Sequence, residues 1–207
     1  MGEESINVSG QYAVYYPALQ AIRECMGSNS EEKRPGQGRR FSVGIDGRCG
    51  SGKSSFANWT AEMLGCNLIH VDDYYLPLEE RRENWKEIPG GNIDFDRLRS
   101  EVLTPARLGR EVCYRPYHCM EGKFGETVCL LPSQLLLVEG SYSHHPCVAD
   151  AYDLKIFMTC SAQNQAQRLR KREGGRYDMF VRQWIPMEEN YFAHCHIEEN
   201  SHLVVKT

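Results

Sequence analysis

The chain has no apolar run long enough to cross a bilayer. It also has no basic start followed by an apolar stretch, so neither a membrane span nor a secretory signal is expected. It has no surplus of positive charge. With 24 Lys and Arg against 28 Asp and Glu, the formal charge is −4, which disfavours a nucleic-acid polymer as main partner but leaves room for a local cationic pocket. CxxC pairs are missing as well. Nine cysteines are scattered through 207 residues, a chain too large to need a disulfide scaffold, so the thiols are expected to be reduced and the protein cytoplasmic. His194-Cys195-His196 lacks a matching second pair and is read as a polar helix end, not a zinc site. There are no internal repeats and no low-complexity tracts. What remains is an ordinary globular composition, 41% hydrophobic and 25% charged, at a length that suits one domain with a proper core.

Against that background one segment stands out. Gly47-Arg48-Cys49-Gly50-Ser51-Gly52-Lys53-Ser54 matches GxxxxGK[ST], and Ser55 follows it. Phe41 to Asp46 before it reads as a short buried strand, and Ser55 to Leu64 after it as a helix ended by Gly65. Glycines let consecutive backbone N–H groups turn inward around a phosphate, and the helix N-terminus adds a favourable dipole. Lys53 is expected to reach the β- and γ-phosphates, and the Ser54 hydroxyl to ligate Mg²⁺. A chance match in a chain of this length is on the order of one in a hundred. A nucleoside triphosphate is therefore the expected ligand.

The rest of the pattern supports an α/β fold, a three-layer α/β/α sandwich of the phosphate-loop NTPase type with a five-stranded, mostly parallel sheet. Strands are expected at Phe41 to Asp46, Asn67 to Val71, Gln134 to Glu139, Leu154 to Thr159 and His202 to Val205. Leu135 to Val138 is unbroken apolar sequence, which suits a strand covered on both faces. Helices are expected over Tyr12 to Met26, Asp94 to Leu108 and Ala162 to Glu173. A polar stretch from Gly27 to Arg40 reads as an exposed linker. The domain plan is thus an N-terminal helix and linker, 1–40, ahead of one domain, 41–207. Glu111 to Val128 looks like a small β-ribbon insertion, and about 162–184 a helical lid. Tyr74 to Asn92 is too long and polar for a routine connection and is read as a functional loop beside the ligand.

Phosphate loops serve several chemistries, and further absences narrow the choice. No Asn-Lys-x-Asp motif is present to read guanine. The third strand ends in a single Glu139 followed by Gly140, without the acidic pair of a motor ATPase. Strand two instead ends in Val71-Asp72-Asp73-Tyr74-Tyr75, which puts carboxylates at the carboxyl edge of the sheet, near the phosphates. Asp72 is the expected base for an attacking hydroxyl, Asp73 a supporting residue, and Glu139 a second Mg²⁺ ligand. Arg168 and Arg172 share one helical face, and Gly174-Gly175 supplies a hinge. Together they suggest a lid that neutralises the transferring group.

In this order the motifs resemble the uridine kinase branch of the phosphate-loop kinases, whose relatives include phosphoribulokinase and pantothenate kinase. The likeness runs from Phe41 onward. It is carried by Gly47 to Ser55, Asp72-Asp73-Tyr74-Tyr75, Asn92-Ile93-Asp94-Phe95-Asp96, Tyr114-Arg115-Pro116-Tyr117, Val138-Glu139-Gly140, and Leu154-Lys155-Ile156-Phe157 with the arginine segment. The resemblance implies that Tyr75, Asp94 and Tyr117 line the acceptor pocket and that Arg176 joins Arg168 and Arg172 in the lid. It implies an ATP- and Mg²⁺-dependent transfer to a small hydroxyl acceptor, with the 5′-hydroxyl of uridine or cytidine first in line. Three departures are plain. Tyr117-His118-Cys119 stands where the family has an aspartate and an aromatic residue after that tyrosine. The sequence ends at Thr207, just past the last strand, so the adenine is expected to be gripped weakly, or by other residues than in uridine kinases. Trp184 to Tyr191 matches no motif of the family. Alternatives stay open: a kinase of pantothenate, a sugar or a nucleoside monophosphate, for which Arg115 or Arg81-Arg82 would meet the acceptor phosphate, or an ATP-binding regulator without transfer. Beyond ATP and the acceptor no partner is expected, neither nucleic acid nor membrane, and a homo-oligomer is left open.

Overall fold

The computed structural model describes residues 10–27 and 40–207; the expected linker falls largely outside the described residues. The strands are β1 (Phe41–Gly47), β2 (Asn67–His70), β3 (Val112–Tyr114), β4 (Tyr117–His118), β5 (Lys123–Phe124), β6 (Val128–Leu130), β7 (Leu135–Glu139), β8 (Leu154–Thr159) and β9 (Leu203–Lys206). Five of them form one sheet in the order β2-β7-β1-β8-β9, with every neighbouring pair parallel. The helices are α1 (Tyr16–Gly27), α2 (Lys53–Leu64), α3 (95–107), α4 (Ala162–Glu173) and α5 (177–194). The α/β sandwich expected from the sequence is the observed architecture, with strand ends shifted by a residue or two.

Strand pleating divides the core between the two faces of the sheet. Val43, Ile45, Leu135, Leu137, Ile156 and Met158 face one side, where α1 brings Ala18 and Ile22, and α2 brings Phe56 and Ala57. Leu136, Val138 and Phe157 face the other, against Leu98, Val102 and Leu103 of α3 and Tyr191 and Phe192 of α5. Each fully buried aliphatic side chain contributes about 1.5–3 kcal/mol. Both α3 and α5 contain a widened π turn, at Leu98–Leu103 and Phe180–Trp184, and each turn lies just before a proline, Pro105 or Pro186. A proline cannot donate to the preceding turn and crowds its carbonyl, so a wider turn accommodates it.

The insertion after α3 is a pair of antiparallel hairpins, β3 with β6 and β4 with β5. Cys113 and Cys129 oppose one another there and are joined by a disulfide, which corrects the expectation that every thiol is reduced. The cause is local: the antiparallel register holds their Cα atoms 4.2 Å apart. Cys49, Cys66, Cys119, Cys147, Cys160 and Cys195 are in no disulfide. No helix among the described residues is long and apolar enough to cross a membrane.

Candidate active site

β1 ends in a loop whose backbone requires glycine. Gly47, Gly50 and Gly52 have φ of 137°, 78° and 91°, values that side-chain-bearing residues rarely adopt. A Cβ on Gly47 would lie 1.9 Å from the Met158 carbonyl oxygen of β8, so loop and strand touch directly. The Lys53 Nζ donates to the carbonyls of Gly47 at 2.5 Å and Arg48 at 3.1 Å, folding the cation across the cradle. Tyr15, just before α1, donates to the Gly52 carbonyl from behind at 3.4 Å. The Cys49 N–H donates to Glu188 Oε2 at 2.9 Å, so the loop already holds an anionic oxygen on one of its amides. Burial, then the nearby Glu188 carboxylate, pushes the Cys49 thiol far up, which keeps it neutral.

The strand order sets the carboxylates beside that cradle. β7 lies between β2 and β1, and both Ile45 and His70 are in register with Glu139. Glu139 is buried, accepts from the Ser54 hydroxyl at 3.3 Å and meets His70 Nδ1 at 2.6 Å. That hydrogen bond, chiefly, raises the His70 pKa. One turn past β2, Asp72 is exposed to solvent yet enclosed by protein, as expected at the floor of a cleft. Its carboxyl is raised by desolvation and by the charge of Glu139, while Lys53 and a hydrogen bond from Tyr75 hold it down. Asp73 takes a hydrogen bond from Tyr114 at 3.4 Å. The phosphate loop, Asp72, Ser54 and Glu139 thus converge at one edge of the sheet.

No family model and no curated protein matches the chain. Solved structures do. A possible uridine kinase from Bacillus stearothermophilus superposes with a TM-score of 0.67 at 18% identity, covering 95% of this chain and 100% of that one. A candidate fructose transport system kinase from Silicibacter gives 0.66 at 18%, covering 92% and 98%. A D-glycerate 3-kinase from Cryptococcus neoformans gives 0.61 at 14%, covering 86% and 88%. The fold is that of the phosphate-loop kinases.

Beside this cleft lie the residues expected to line an acceptor pocket. Tyr75 bridges to Ile93, which sets Asp94 beside it, although Asp94 Oδ1 is engaged as the cap of α3, accepting from the Arg97 N–H at 3.0 Å. The Tyr74 to Asn92 loop carries Arg81 and Trp85, and Trp184 of α5 meets both Trp85 and Tyr75 with ring centroids 6.3 Å and 6.4 Å apart. That loop and α5 are therefore neighbours. Tyr117 is buried and packs edge-on against Phe124, in the hairpin that adjoins the turn containing Asp72. Arg115 is turned along the ribbon, donating to the Gly125 carbonyl at 2.9 Å.

The arginines of α4 and its end are tied down. Arg168 donates to the Gly50 carbonyl at 3.1 Å and to Thr207 Oγ1 at 2.7 Å. Arg172 and Arg176 both pair with Glu173, at 2.7 Å and 2.8 Å. Gly174, with φ 56° and ψ −118°, breaks the helix between the latter two. Arg172 still lies near enough to Cys49 to influence its thiol.

Several site residues escaped the sequence reading. Asp46, fully buried, accepts from the Gly47 N–H at 2.7 Å, the His144 N–H at 2.9 Å and the Tyr191 hydroxyl at 2.8 Å, fixing the root of the loop. Gln165 donates to the Cys49 carbonyl at 3.0 Å. Glu188 also accepts from Ser141, and Glu189 pairs with Arg48 at 2.7 Å. The Trp184 to Tyr191 segment is thereby given a place, since its acidic pair holds the phosphate loop. A signal for it exists in the sequence: Glu188 interrupts the apolar stripe of Met187, Tyr191 and Phe192. A buried carboxylate in such a stripe requires donors.

Proposed function

We propose that the chain transfers the γ-phosphoryl group of ATP to a hydroxyl of a small molecule, with Mg²⁺ as cofactor. The observation that carries this reading is Asp72: a carboxylate on a cleft floor, across from a glycine loop and within electrostatic reach of Lys53 and Glu139. The loop suits a phosphate, because its Cys49 amide already binds an anionic oxygen. Ser54 and Glu139 offer the oxygen ligands that Mg²⁺ prefers, and there it would supply neutralisation of phosphate charge. Asp72 accepts the proton of the attacking hydroxyl, a role worth about 10²–10⁴-fold in such reactions. Lys53 compensates the charge of the phosphoryl group, with Arg168 and Arg172 at hand on α4. Tyr75 and Trp184 position the acceptor. Uridine, fructose and D-glycerate, named in the structural neighbours, have in common a free hydroxyl.

The test is product formation with ATP, Mg²⁺ and a panel of hydroxyl compounds, uridine and cytidine first. Turnover of either supports the nucleoside acceptor implied by the sequence resemblance. Turnover only of pantothenate, a sugar or a nucleoside monophosphate removes the nucleoside and keeps the kinase. ATP binding with no acceptor-dependent product from any compound would support a nucleotide-binding regulator instead.

A further inference from the structure

We propose that the acceptor carries an anionic group, a carboxylate or a phosphate, which Arg81 binds while the reacting hydroxyl lies at Asp72; this rests on the kinase reading above. Arg81 is half-buried and shares a neighbour, Cys119, with Asp72. Its Nε donates to the Leu76 carbonyl at 2.9 Å, and its guanidinium lies 4.8 Å over the Trp85 ring and 5.9 Å from the Tyr75 ring. These contacts fix the group and leave its outer nitrogens with one weak neighbour, the thiol of Cys119.

No carboxylate pairs with Arg81 among the described residues. Glu79, Glu80, Glu83 and Glu87 are close in the chain, yet all point to solvent. A half-buried guanidinium held rigid is pre-organised for an anion, and its planar fork matches a carboxylate or phosphate. Tyr75 measures the site. Its hydroxyl bonds Asp72 and its ring neighbours Arg81, so base and cation stand about one tyrosine side chain apart. That span fits a small hydroxy acid or sugar phosphate.

Matched acceptors test the idea: glycerol against glycerate and glycerol phosphate, and fructose against fructose 6-phosphate, with product followed by mass spectrometry. An anionic member is expected to exceed its neutral partner at least tenfold in kcat/KM. Whether glycerate or the phosphates gain identifies the group. Arg81→Ala should erase most of that advantage, chiefly through KM, and Arg81→Lys should restore part of it. Arg107→Ala, on an exposed turn, serves as the unaffected control. A second readout needs no turnover. With ADP filling the phosphate loop, malonate or inorganic phosphate should change Trp85 fluorescence saturably in the wild type and not in Arg81→Gln. Equal use of neutral and anionic acceptors, or no saturable change in the wild type, overturns the proposal while leaving the kinase intact. Saturable anion binding without product from any acceptor would instead remove the kinase reading, and the acceptor role of Arg81 with it.

Discussion

The two halves of the cleft are held in different ways. On the proposed donor side, Gly47 to Ser54 is rooted on the adjoining Asp46 and tied by side chains from four distant places: Tyr15 before α1, Gln165 and Arg168 on α4, Glu188 and Glu189 on α5, and Thr207, whose hydroxyl donates to the Ser51 carbonyl at 2.8 Å. On the proposed acceptor side, Tyr75, Arg81, Trp85 and Trp184 of α5 meet mainly through rings and one cation, and the loop that carries the first three is held by its own backbone turns, with the Leu76 N–H donating to the Asn92 carbonyl at 2.9 Å across its ends. On the kinase reading proposed above, the difference follows from the ligands. A triphosphate tail presents one geometry, so its cradle can be fixed by backbone and braced throughout, whereas acceptors vary and loop residues can change to suit them.

Glycine substitutions give the strongest contrast. Gly47→Ala places a methyl 1.9 Å from a backbone oxygen at a φ of 137°, so a loss of about 4 kcal/mol or more is expected, with nucleotide binding abolished. Gly122→Ala, in the ribbon at φ 64°, meets only open space and should cost about 1 kcal/mol. Denaturant titration of both variants measures the gap. Equal stabilities would mean that the loop and β8 do not touch as described.

Next in size is the base. Asp72→Asn keeps the volume and removes the proton acceptor, so transfer should fall about 10³-fold while ATP affinity changes little. If nucleotide binding falls in parallel with transfer, Asp72 belongs to the donor side and the division drawn above is misplaced.

Glu188 probes the bracing itself. Its carboxylate accepts from Cys49 and Ser141, and a phosphate arriving at the Cys49 amide must compete with a like charge. Glu188→Gln keeps an accepting oxygen but removes the charge, and ATP should bind about tenfold tighter by calorimetry. Weaker binding would show that the carboxylate shapes the loop more than it opposes the ligand.

The same contrast explains what the sequence made legible. The donor side is one contiguous run whose glycines, lysine and serine encode a backbone shape, and Asp72 and Glu139 sit at strand ends that periodicity locates. The acceptor side brings Trp85 to Trp184 across about a hundred positions, which depends on how a loop and a π-widened helix pack and leaves no local trace. The Cys113–Cys129 bond likewise depends on ribbon register, which composition does not reveal. Glu188 was legible in principle, as a charge within an apolar stripe. Its partner was not, because the sequence does not say which loop the stripe faces.

The smallest effect is expected where the halves meet. Tyr75 donates a hydrogen bond to Asp72, and that bond favours the ionised carboxylate against burial and the charge of Glu139, both of which raise its pKa. Tyr75→Phe removes the donor and leaves the ring beside Trp184 and Arg81. The Asp72 pKa then rises further, the base is protonated at a higher pH, and the acid limb of the kcat/KM profile moves upward. Near neutral pH the loss should be about threefold to tenfold, the worth of one hydrogen bond to a partly buried group. A shift of the limb to lower pH would mean that the tyrosine stabilises the protonated acid. An unmoved limb with raised KM would mean that Tyr75 serves the acceptor alone and has no part in tuning the base.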